Sequence, residues 1–208
     1  MANGTACLRF LAEPKPDLEE AREAVEDIIS DGRRASEVLV RIRQLAKKSA
    51  PELTPVNVNG AISEVMSLAG HEMQRSEISA RVELDPDLPS VLADRVQVQQ
   101  VVLNLVMNGI EAMRGVADRA RVLKVKSTVA PPADVAVTVE DTGIGFGNND
   151  PEHIFETFFT TKKDGMGMGL SISRSIVQTH GGHLWASARA PSGATFSFTL
   201  PASAGAET

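Results

Sequence analysis

The stretch Gln97–Met113, QVQQVVLNLVMNGIEAM, predicts an amphipathic helix that holds two asparagines in an otherwise apolar sequence. Asn104 and Asn108 lie one helical turn apart and therefore share one face. Asparagine is a poor residue for a helix interior, and carboxamide oxygens are neutral ligands for a hard cation that is already paired with phosphates. Two polar side chains on a solvated face are the alternative. We interpret the pair as a candidate cation site. The opposite side of the helix is expected to be buried and consists of Val101, Val102, Leu105 and Val106.

Around this helix, the hydrophobic pattern alternates between strands and helices. Helices are predicted over Asn59–Arg75, with Asn59 as the N-cap, over Asp94–Arg114 and over Leu170–Thr179. Strands are predicted over Pro55–Val58, Ile78–Leu84, Val122–Val129, Val135–Asp141, His183–Ala188 and Thr195–Leu200. The predicted fold class is an α/β (α+β) two-layer sandwich, with one mixed sheet and helices on one of its faces.

A charged segment without proline, from Leu18 to Lys48, precedes the sandwich. Its apolar and small residues recur at alternating steps of three and four, the pattern of a coiled coil or helical bundle. One such helix cannot bury its stripe alone, so partner helices are expected; a solvent-bridging linker helix is the alternative. Leu8, Phe10 and Leu11 are expected to end a preceding helix. Three regions are predicted. Residues 1–50 form a partial helical hairpin, residues 51–201 form the sandwich, and residues 202–208 form a disordered tail.

The composition argues against several classes of protein. The chain has 208 residues, and its net charge of −6 comes from 27 acidic and 21 basic side chains, so no nucleic-acid surface is expected. Cys7 is the single cysteine, which rules out an internal disulfide and favours a cytoplasmic location. No apolar run reaches the roughly 18 residues that span a bilayer, so no membrane contact is expected.

The sequence Val139–Gly147, VEDTGIGFG, predicts the end of a strand followed by a glycine-rich turn. Glycine lets the backbone approach a flat ligand closely. A buried Asp141 at the strand end can accept a hydrogen bond from an exocyclic amine such as that of adenine. An ordinary aspartate–glycine turn is the alternative, because this motif alone is only moderately specific.

A second glycine motif, Gly165–Leu170, GMGMGL, opens a predicted helix. No predicted strand leads directly into it, its glycine spacing differs from that of a dinucleotide-binding fingerprint, and it lacks the lysine–serine pair of a P-loop. The N–H groups and the positive dipole end of the helix still favour an anion, and a phosphate fits there.

The segment Phe146–Met168 lies between these motifs and is predicted to be a mobile lid with few buried contacts. Its expected aromatic anchors are Phe155, Phe158 and Phe159. Lysines and hydroxyls that can reach a phosphate follow them, namely Lys162 or Lys163, Thr160 and Thr161. A solvated charge pair is the alternative for the two lysines.

The order of these motifs resembles the N, G1, F and G2 boxes of sensor histidine kinases, most of all those coupled to PAS-type sensors. The resemblance covers about Pro55 to Pro201, and it is specific because four motifs occur in the right order with the right separations. It implies the Bergerat ATP-binding sandwich of the GHKL superfamily, with ATP and Mg²⁺ as cofactors. Asn108 matches the asparagine that holds magnesium, Asn104 matches its partner one turn earlier, and Asp141 matches the aspartate that recognises the adenine amino group.

The resemblance also extends the expected nucleotide site. Gly145, Gly167 and Gly169 match the glycines that shape the pocket and the lid, and the strand that contains Thr195 resembles the closing strand near adenine. Further nucleotide-binding residues are expected at Gly143, Phe158, Thr160, Thr161, Gly165 and Leu170. Lys162 is expected to act in catalysis together with Asn104 and Asn108.

The activity implied by the resemblance is transfer of the ATP γ-phosphate to a histidine, for relay to a response-regulator aspartate. Leu18–Lys48 resembles the second helix of the dimerisation and histidine-phosphotransfer hairpin. The implied partners are therefore a second copy joined through a four-helix bundle, a response-regulator receiver domain and an upstream sensor domain.

One departure from the family pattern concerns the acceptor. In that family the acceptor histidine lies in the first hairpin helix, but no histidine precedes Leu18 here. We therefore expect a truncated acceptor helix and a chain that cannot phosphorylate itself. The four histidines, at positions 71, 153, 180 and 183, are expected to be structural or surface residues.

Three alternative functions remain open from the sequence. An ATPase of the same superfold, of the gyrase or chaperone kind, would need a glutamate as general base one turn before the magnesium asparagine, where this chain has Asn104. A serine kinase that acts on anti-sigma-factor partners is less compatible with the bundle helix. A nucleotide-binding and dimerisation module without enzymatic activity is the third.

Overall fold

The computed structural model describes residues 2–12, 18–25, 27–28, 52–131, 133–147, 150–161 and 167–203. The chain divides into two compact units, Met1–Ala50 and Pro51–Thr208. Among the helices that the structure describes, none combines the length and the apolar content needed to cross a membrane.

The first unit is helical over nearly all of its described residues. Helix α1 spans Ala2–Leu11, which confirms the preceding helix, and helix α2 comprises residues 18–25 and 27–28. Cys7 of α1 is buried in a small cluster with Ala21 and Ala24 of α2. Large apolar side chains on both helices stay exposed, namely Leu8, Leu11, Leu18, Val25 and Ile28. The remainder of the predicted Leu18–Lys48 helix lies outside the described residues.

The second unit is built on a mixed five-stranded sheet. Its strands are β2 (Ser79–Leu84), β4 (Val122–Ala130), β5 (Asp134–Asp141), β6 (His183–Ala188) and β7 (Ala194–Leu200). Their order is β2-β4-β5-β7-β6; β2 and β4 are parallel, and the other pairs are antiparallel. A two-stranded sheet pairs β1 (Thr54–Val56) with β3 (Val91–Ala93). Strand β2 forms one edge of the main sheet, and its side chains are exposed except at Leu84.

Three helices pack on one face of this sheet: α3 (Val58–Arg75), α4 (Arg95–Ala112) and α5 (Gly169–Thr179). Along β5 the core side chains alternate with half-buried ones, because successive strand residues point to opposite faces. The predicted buried side of the Gln97–Met113 helix is confirmed, since Val101, Val102, Leu105 and Val106 are at most 1% exposed. The predicted two-layer sandwich is therefore confirmed.

Two asparagines near the start of α3 have different roles. The prediction that Asn59 caps the helix is wrong: Asn57 is the N-cap, and its side chain accepts a hydrogen bond from the N–H of Gly60. Asn59 instead bonds across the sandwich, donating to the carbonyl of Asp85 and accepting from the hydroxyl of Ser127 at 2.7 Å each. Ser127 is 1% exposed, so this tertiary pairing, rather than a helix end, satisfies the carboxamide.

Two further differences from the sequence prediction involve short pairings. Strand β3 was not predicted, because three residues are too few to show a period. The tail was predicted to be disordered from Ala202, but Ala202 forms a bridge with Val91, and the N–H of Ser203 donates to the carbonyl of Ser90 at 2.8 Å. Residues 204–208 lie outside the described part of the chain.

Candidate nucleotide-binding site

Asp141, the last residue of β5, is the buried carboxylate at the centre of the candidate site. Its side chain is 2% exposed, and its Oδ1 accepts hydrogen bonds from the N–H of Gly143 at 2.8 Å and from the N–H of Ala194 at 3.3 Å. Oδ2 accepts no hydrogen bond from the residues that the structure describes. One oxygen is thus fixed by the backbone, and the other is available to a ligand.

Burial also sets the electrostatics of this group. Loss of solvation raises the pKa of Asp141 above its ordinary value of 3.8, while the hydrogen bonds from Gly143 and Ala194 and the positive charge of Arg189 lower it in part. A carboxylate in such surroundings favours a ligand that supplies a hydrogen-bond donor to the open oxygen.

The glycines around Asp141 are required by contacts within the protein. A Cβ at Gly193, which has φ of 110°, would clash with the carbonyl of Asp141. At Gly143 it would lie 2.5 Å from the carbonyl of Ala112, and at Gly145, with φ of 67°, it would lie 2.9 Å from that of Gly193. The sequence predicts that Gly143 and Gly145 let the backbone approach a flat ligand; in the structure, the atom nearest to the added Cβ at each of them is a main-chain oxygen. They hold the turn in the shape that presents Asp141.

Arg119 contacts this turn and was missed by sequence reasoning. It lies between α4 and β4, and its guanidinium donates to the carbonyls of Thr142 and Gly143, each at 2.9 Å. No periodicity or motif marks an arginine in an irregular connection, so the sequence carried no signal for it.

The asparagine pair lies on α4 where α5 begins. Asn104 donates from Nδ2 to the hydroxyl of Ser173 at 2.9 Å, and Ser173 is 1% exposed. A Cβ at Gly169, the first residue of α5, would lie 2.5 Å from Oδ1 of Asn104. Asn108 is half-buried, one turn further along the same face. The structure therefore brings together Asn104 and Gly169, and it adds Ser173, which the sequence did not indicate.

The lid has a firmer middle than predicted. Ile154 and Phe155 are buried, at 8% and 4% exposure, and the guanidinium of Arg174 on α5 stacks over the Phe155 ring at 4.5 Å and donates to Glu152 at 2.8 Å. The expectation of few buried contacts throughout Phe146–Met168 is therefore wrong for this part, because α5 anchors it.

The three predicted lid anchors differ from one another. Phe155 is buried and Phe159 packs partly against the core, whereas Phe158 is 64% exposed and has a positive φ of 73°. The expectation that Phe158 anchors the lid is wrong, because the backbone turns there against Gly167: the N–H of Phe158 donates to the carbonyl of Gly167 at 2.9 Å. A Cβ at Gly167 would lie 2.5 Å from the carbonyl oxygen of Phe159.

The other predicted site residues are spread over several places. Thr160 and Thr161 are exposed after Phe159, and Leu170 packs partly against the core at the start of α5. Thr195 pairs with Glu140, the residue before Asp141 in β5. The side chain of Thr195 therefore points to the face of the sheet opposite to that of Asp141. Lys162 and Gly165 lie outside the described residues.

Comparison with known proteins identifies the family of this arrangement. The sequence profile described as histidine kinase-, DNA gyrase B-, and HSP90-like ATPase matches residues 93–204, which is more than half of the chain. The chain belongs to this ATPase family. The match begins at the end of β3 and contains both asparagines, the Asp141 turn and α5.

The similar curated proteins are sensor kinases. Sensor protein FixL of Bradyrhizobium diazoefficiens is 40% identical over 187 residues, which cover 90% of this chain and 37% of FixL. Sensor histidine kinase TmoS of Ectopseudomonas mendocina is 34% identical over 204 residues, which cover 98% of this chain and 21% of TmoS. The chain thus spans about a fifth to about two fifths of these relatives.

Solved structures agree with the relatives. The catalytic domain of histidine kinase ThkA superposes with a TM-score of 0.64 at 36% identity, covering 73% of this chain and 96% of that domain. Full-length ShkA in complex with AMPPNP gives a TM-score of 0.72 at 25% identity, covering 98% of this chain and 44% of ShkA. ThkA in complex with the response regulator TrrA gives 0.72 at 28% identity, covering 97% of this chain and 57% of that chain. The sandwich is therefore an ATP-binding catalytic domain of the sensor histidine kinase type.

The packing around Gly193 predicts a large stability effect in this ATPase domain. Gly193→Ala should lower the free energy of unfolding by about 3 kcal/mol, since overpacking against the Asp141 backbone, about 1–3 kcal/mol, adds to the strain of an unfavourable φ, about 1–2 kcal/mol. Gly115→Ala is the matched control, because Gly115 has φ of 80° and no atom within 4 Å of the added Cβ. Urea unfolding measures both variants, and equal losses would contradict the role of the close contact.

The raised pKa of Asp141 predicts a pH-dependent effect of removing its charge. The folded chain keeps this carboxyl protonated to higher pH than the unfolded chain does, so its contribution to stability declines as pH rises from 3.8 through the raised pKa. The stability of Asp141→Asn relative to wild type should therefore increase over that interval and stay constant above and below it. Urea unfolding at a series of pH values tests this. If the stability of Asp141→Asn relative to wild type stays constant or falls as pH rises through this interval, the pKa of Asp141 is not raised.

Proposed function

We propose that this chain binds ATP with Mg²⁺ and transfers the γ-phosphate to a histidine of a dimerisation hairpin, for relay to a response regulator. The observation that carries the proposal is Asp141, whose Oδ1 is held by two backbone N–H groups while Oδ2 accepts nothing from the described residues. A buried acceptor of this kind matches the exocyclic amine of adenine. Membership of the ATPase family supports the same ligand.

Magnesium fits the face of α4 that carries Asn108. This half-buried carboxamide offers a neutral oxygen, which suits an ion whose other ligands are phosphate oxygens and water. When bound, the ion neutralises charge on the transferring phosphate. Asn108 would hold it, and Asn104 would support the same face through its hydrogen bond to Ser173. Phosphates would lie toward the N-terminus of α5, where backbone N–H groups favour anions.

ATP hydrolysis by an activated water is less well supported than transfer. An ATPase of this superfold needs a carboxylate at the position of Asn104, but an amide cannot take a proton at neutral pH. The Asn104 amide also donates to Ser173, which orients it toward α5. We therefore retain phosphoryl transfer as the function and hydrolysis as the alternative.

The helical unit supports a dimerisation role. Its helices leave Leu8, Leu11 and Leu18 exposed, at 70%, 46% and 69%, and a helix with exposed large apolar side chains favours packing against a further element. We propose that a second copy covers these residues in a helical bundle, and that residues 1–50 form part of the phosphotransfer hairpin. By analogy with the complex of ThkA and TrrA, a response regulator would dock on the assembled kinase, which we place in the cytoplasm beside an upstream sensor.

The nucleotide assignment predicts a selective loss of binding. Asp141→Asn should weaken Mg-ATP binding by about 1–3 kcal/mol, because an amide donor would face the adenine amine. Asp134→Asn makes the same change at the other end of β5 and should leave the affinity unchanged. Asn108→Ala should weaken ATP binding in the presence of Mg²⁺ more than in EDTA. Calorimetry decides, and unchanged ATP affinity in both Asp141→Asn and Asn108→Ala would rule out the site.

The contacts of three histidines support the proposal that none of them is a phosphate acceptor. His180 is 8% exposed; its Nε2 accepts from the N–H of Asp94 at 3.0 Å, and its Nδ1 lies 2.8 Å from the carbonyl of Ile176. His183 stacks on Trp185, and His71 lies within helix α3. Phosphoryl transfer needs the acceptor in line with the γ-phosphate.

His153 differs because it lies in the lid. Its Nδ1 is 2.6 Å from Glu156, and that hydrogen bond, together with the charge of Glu156, raises the pKa of His153 above 6.5. The pair stabilises the protonated ring relative to the neutral ring, and only the neutral ring has a lone pair for attack on phosphorus.

This placement predicts that the chain, incubated alone with Mg-ATP, acquires no phosphohistidine. A separately produced hairpin that carries an acceptor histidine should become labelled when added, and Asp141→Asn should reduce that labelling. Mass spectrometry with alkaline handling distinguishes the products. Stoichiometric phosphate on any of the chain's own four histidines would contradict the proposal.

A further inference from the structure

We propose that Arg119 is a positioning residue of the nucleotide site, which holds the peptide between Thr142 and Gly143 so that the Asp141 carboxylate faces adenine. The inference rests on the proposed function, because it assigns to Arg119 a part in the same recognition. The residue lies in none of the four sequence motifs.

The guanidinium of Arg119 is fixed on three sides. Nε donates to the carbonyl of Thr142 and Nη2 to the carbonyl of Gly143, each at 2.9 Å. Nη1 donates to the carboxylate of Asp118 at 3.0 and 2.9 Å. Two of the three partners belong to the turn that follows Asp141, so the arginine bridges consecutive carbonyls of that turn.

One planar peptide links Arg119 to the carboxylate. The carbonyl of Thr142 and the N–H of Gly143 belong to the same rigid unit. Arg119 holds the oxygen end of this unit, and the N–H end donates to Oδ1 of Asp141 at 2.8 Å. Rotation of the peptide would break both hydrogen bonds together. A charged donor at the oxygen end also polarises the peptide and strengthens donation by its N–H.

The geometry requires an arginine rather than any positive charge. Its planar fork reaches two carbonyls at once, whereas the ammonium of lysine is a compact point donor on a flexible stem. The carboxylate orientation therefore depends on the fork, and a lysine would restore only part of it.

The fold has other connections to this turn that survive without Arg119. The Thr142 hydroxyl donates to the carbonyl of Ala120 at 2.8 Å and accepts from the N–H of Val122 at 2.9 Å. These bonds attach the side chain of Thr142 to the start of β4, and neither of them involves the carbonyl that Arg119 holds. Removal of Arg119, which is 31% exposed, should therefore loosen the site without unfolding the domain.

Arg121 provides a matched control two residues away. It also bridges two carbonyls, with Nε donating to Val116 and Nη1 to Ser76, each at 2.8 Å. Neither carbonyl belongs to the turn after Asp141. Arg119→Ala and Arg121→Ala thus remove the same kind of interaction, once at the site and once beside it.

The test measures binding of Mg-ATP and Mg-ITP to the full chain by calorimetry, with thermal unfolding of each variant. ITP carries a keto oxygen in place of the adenine amine, so it has no exocyclic amine to donate to the Asp141 carboxylate. Its affinity therefore measures the contribution of all other contacts. In Arg119→Ala the ATP affinity should fall about tenfold while the ITP affinity stays within about twofold, a difference worth one charge-assisted hydrogen bond. Arg119→Lys should fall between wild type and Arg119→Ala, and Arg121→Ala should keep the wild-type preference for ATP.

Three results would overturn the inference: wild-type ATP affinity in Arg119→Ala, equal losses of ATP and ITP, or the same loss of preference in Arg121→Ala. A wild-type chain that binds no ATP would instead overturn the proposed function itself, so the two failures are distinguishable.

Discussion

The site depends on the close approach of the Gly193 backbone to the main chain of Asp141. Because Gly193 has no side chain, β7 can begin directly beside the end of β5, and the N–H of Ala194 reaches Oδ1 of Asp141. Without that approach the carboxylate would lose one of its two backbone donors. The orientation of a single side chain is thus set by where two strands of the sheet meet.

A second set of contacts connects the two ends of α5 to α4. At its start, Gly169 abuts Asn104, which donates to Ser173 one turn further on. At its end, His180 accepts a hydrogen bond from the N–H of Asp94, the N-cap of α4. Helix α5 therefore sits in a fixed relation to α4, and through Arg174 it also holds the middle of the lid. The N-terminus of α5, which is the proposed phosphate end of the site, therefore belongs to a helix that contacts α4 at both of its ends.

Most of the sandwich could be predicted because its elements are long and periodic. The asparagine pair of α4 follows from helical spacing, and Asp141 follows from a strand that runs into glycines. Local rules failed where partners lie far apart in sequence. Either Asn57 or Asn59 is an acceptable cap by type, and the choice is made by Ser127, 68 residues away. The roles of Arg119 and Ser173 could not be predicted for the same reason, because they come from hydrogen bonds to residues far away in the sequence.

Strand β2 has a consequence for the behaviour of the domain in concentrated solution. It is an edge strand, paired on one side with β4, and its exposed side chains include Arg81 and Glu83. An unprotected edge invites strands of other molecules to extend the sheet, and charged side chains oppose such stacking. The charged side chains on this edge therefore favour solubility. Replacing Arg81 and Glu83 by valine would favour pairing of β2 with strands of other molecules, and hence aggregation.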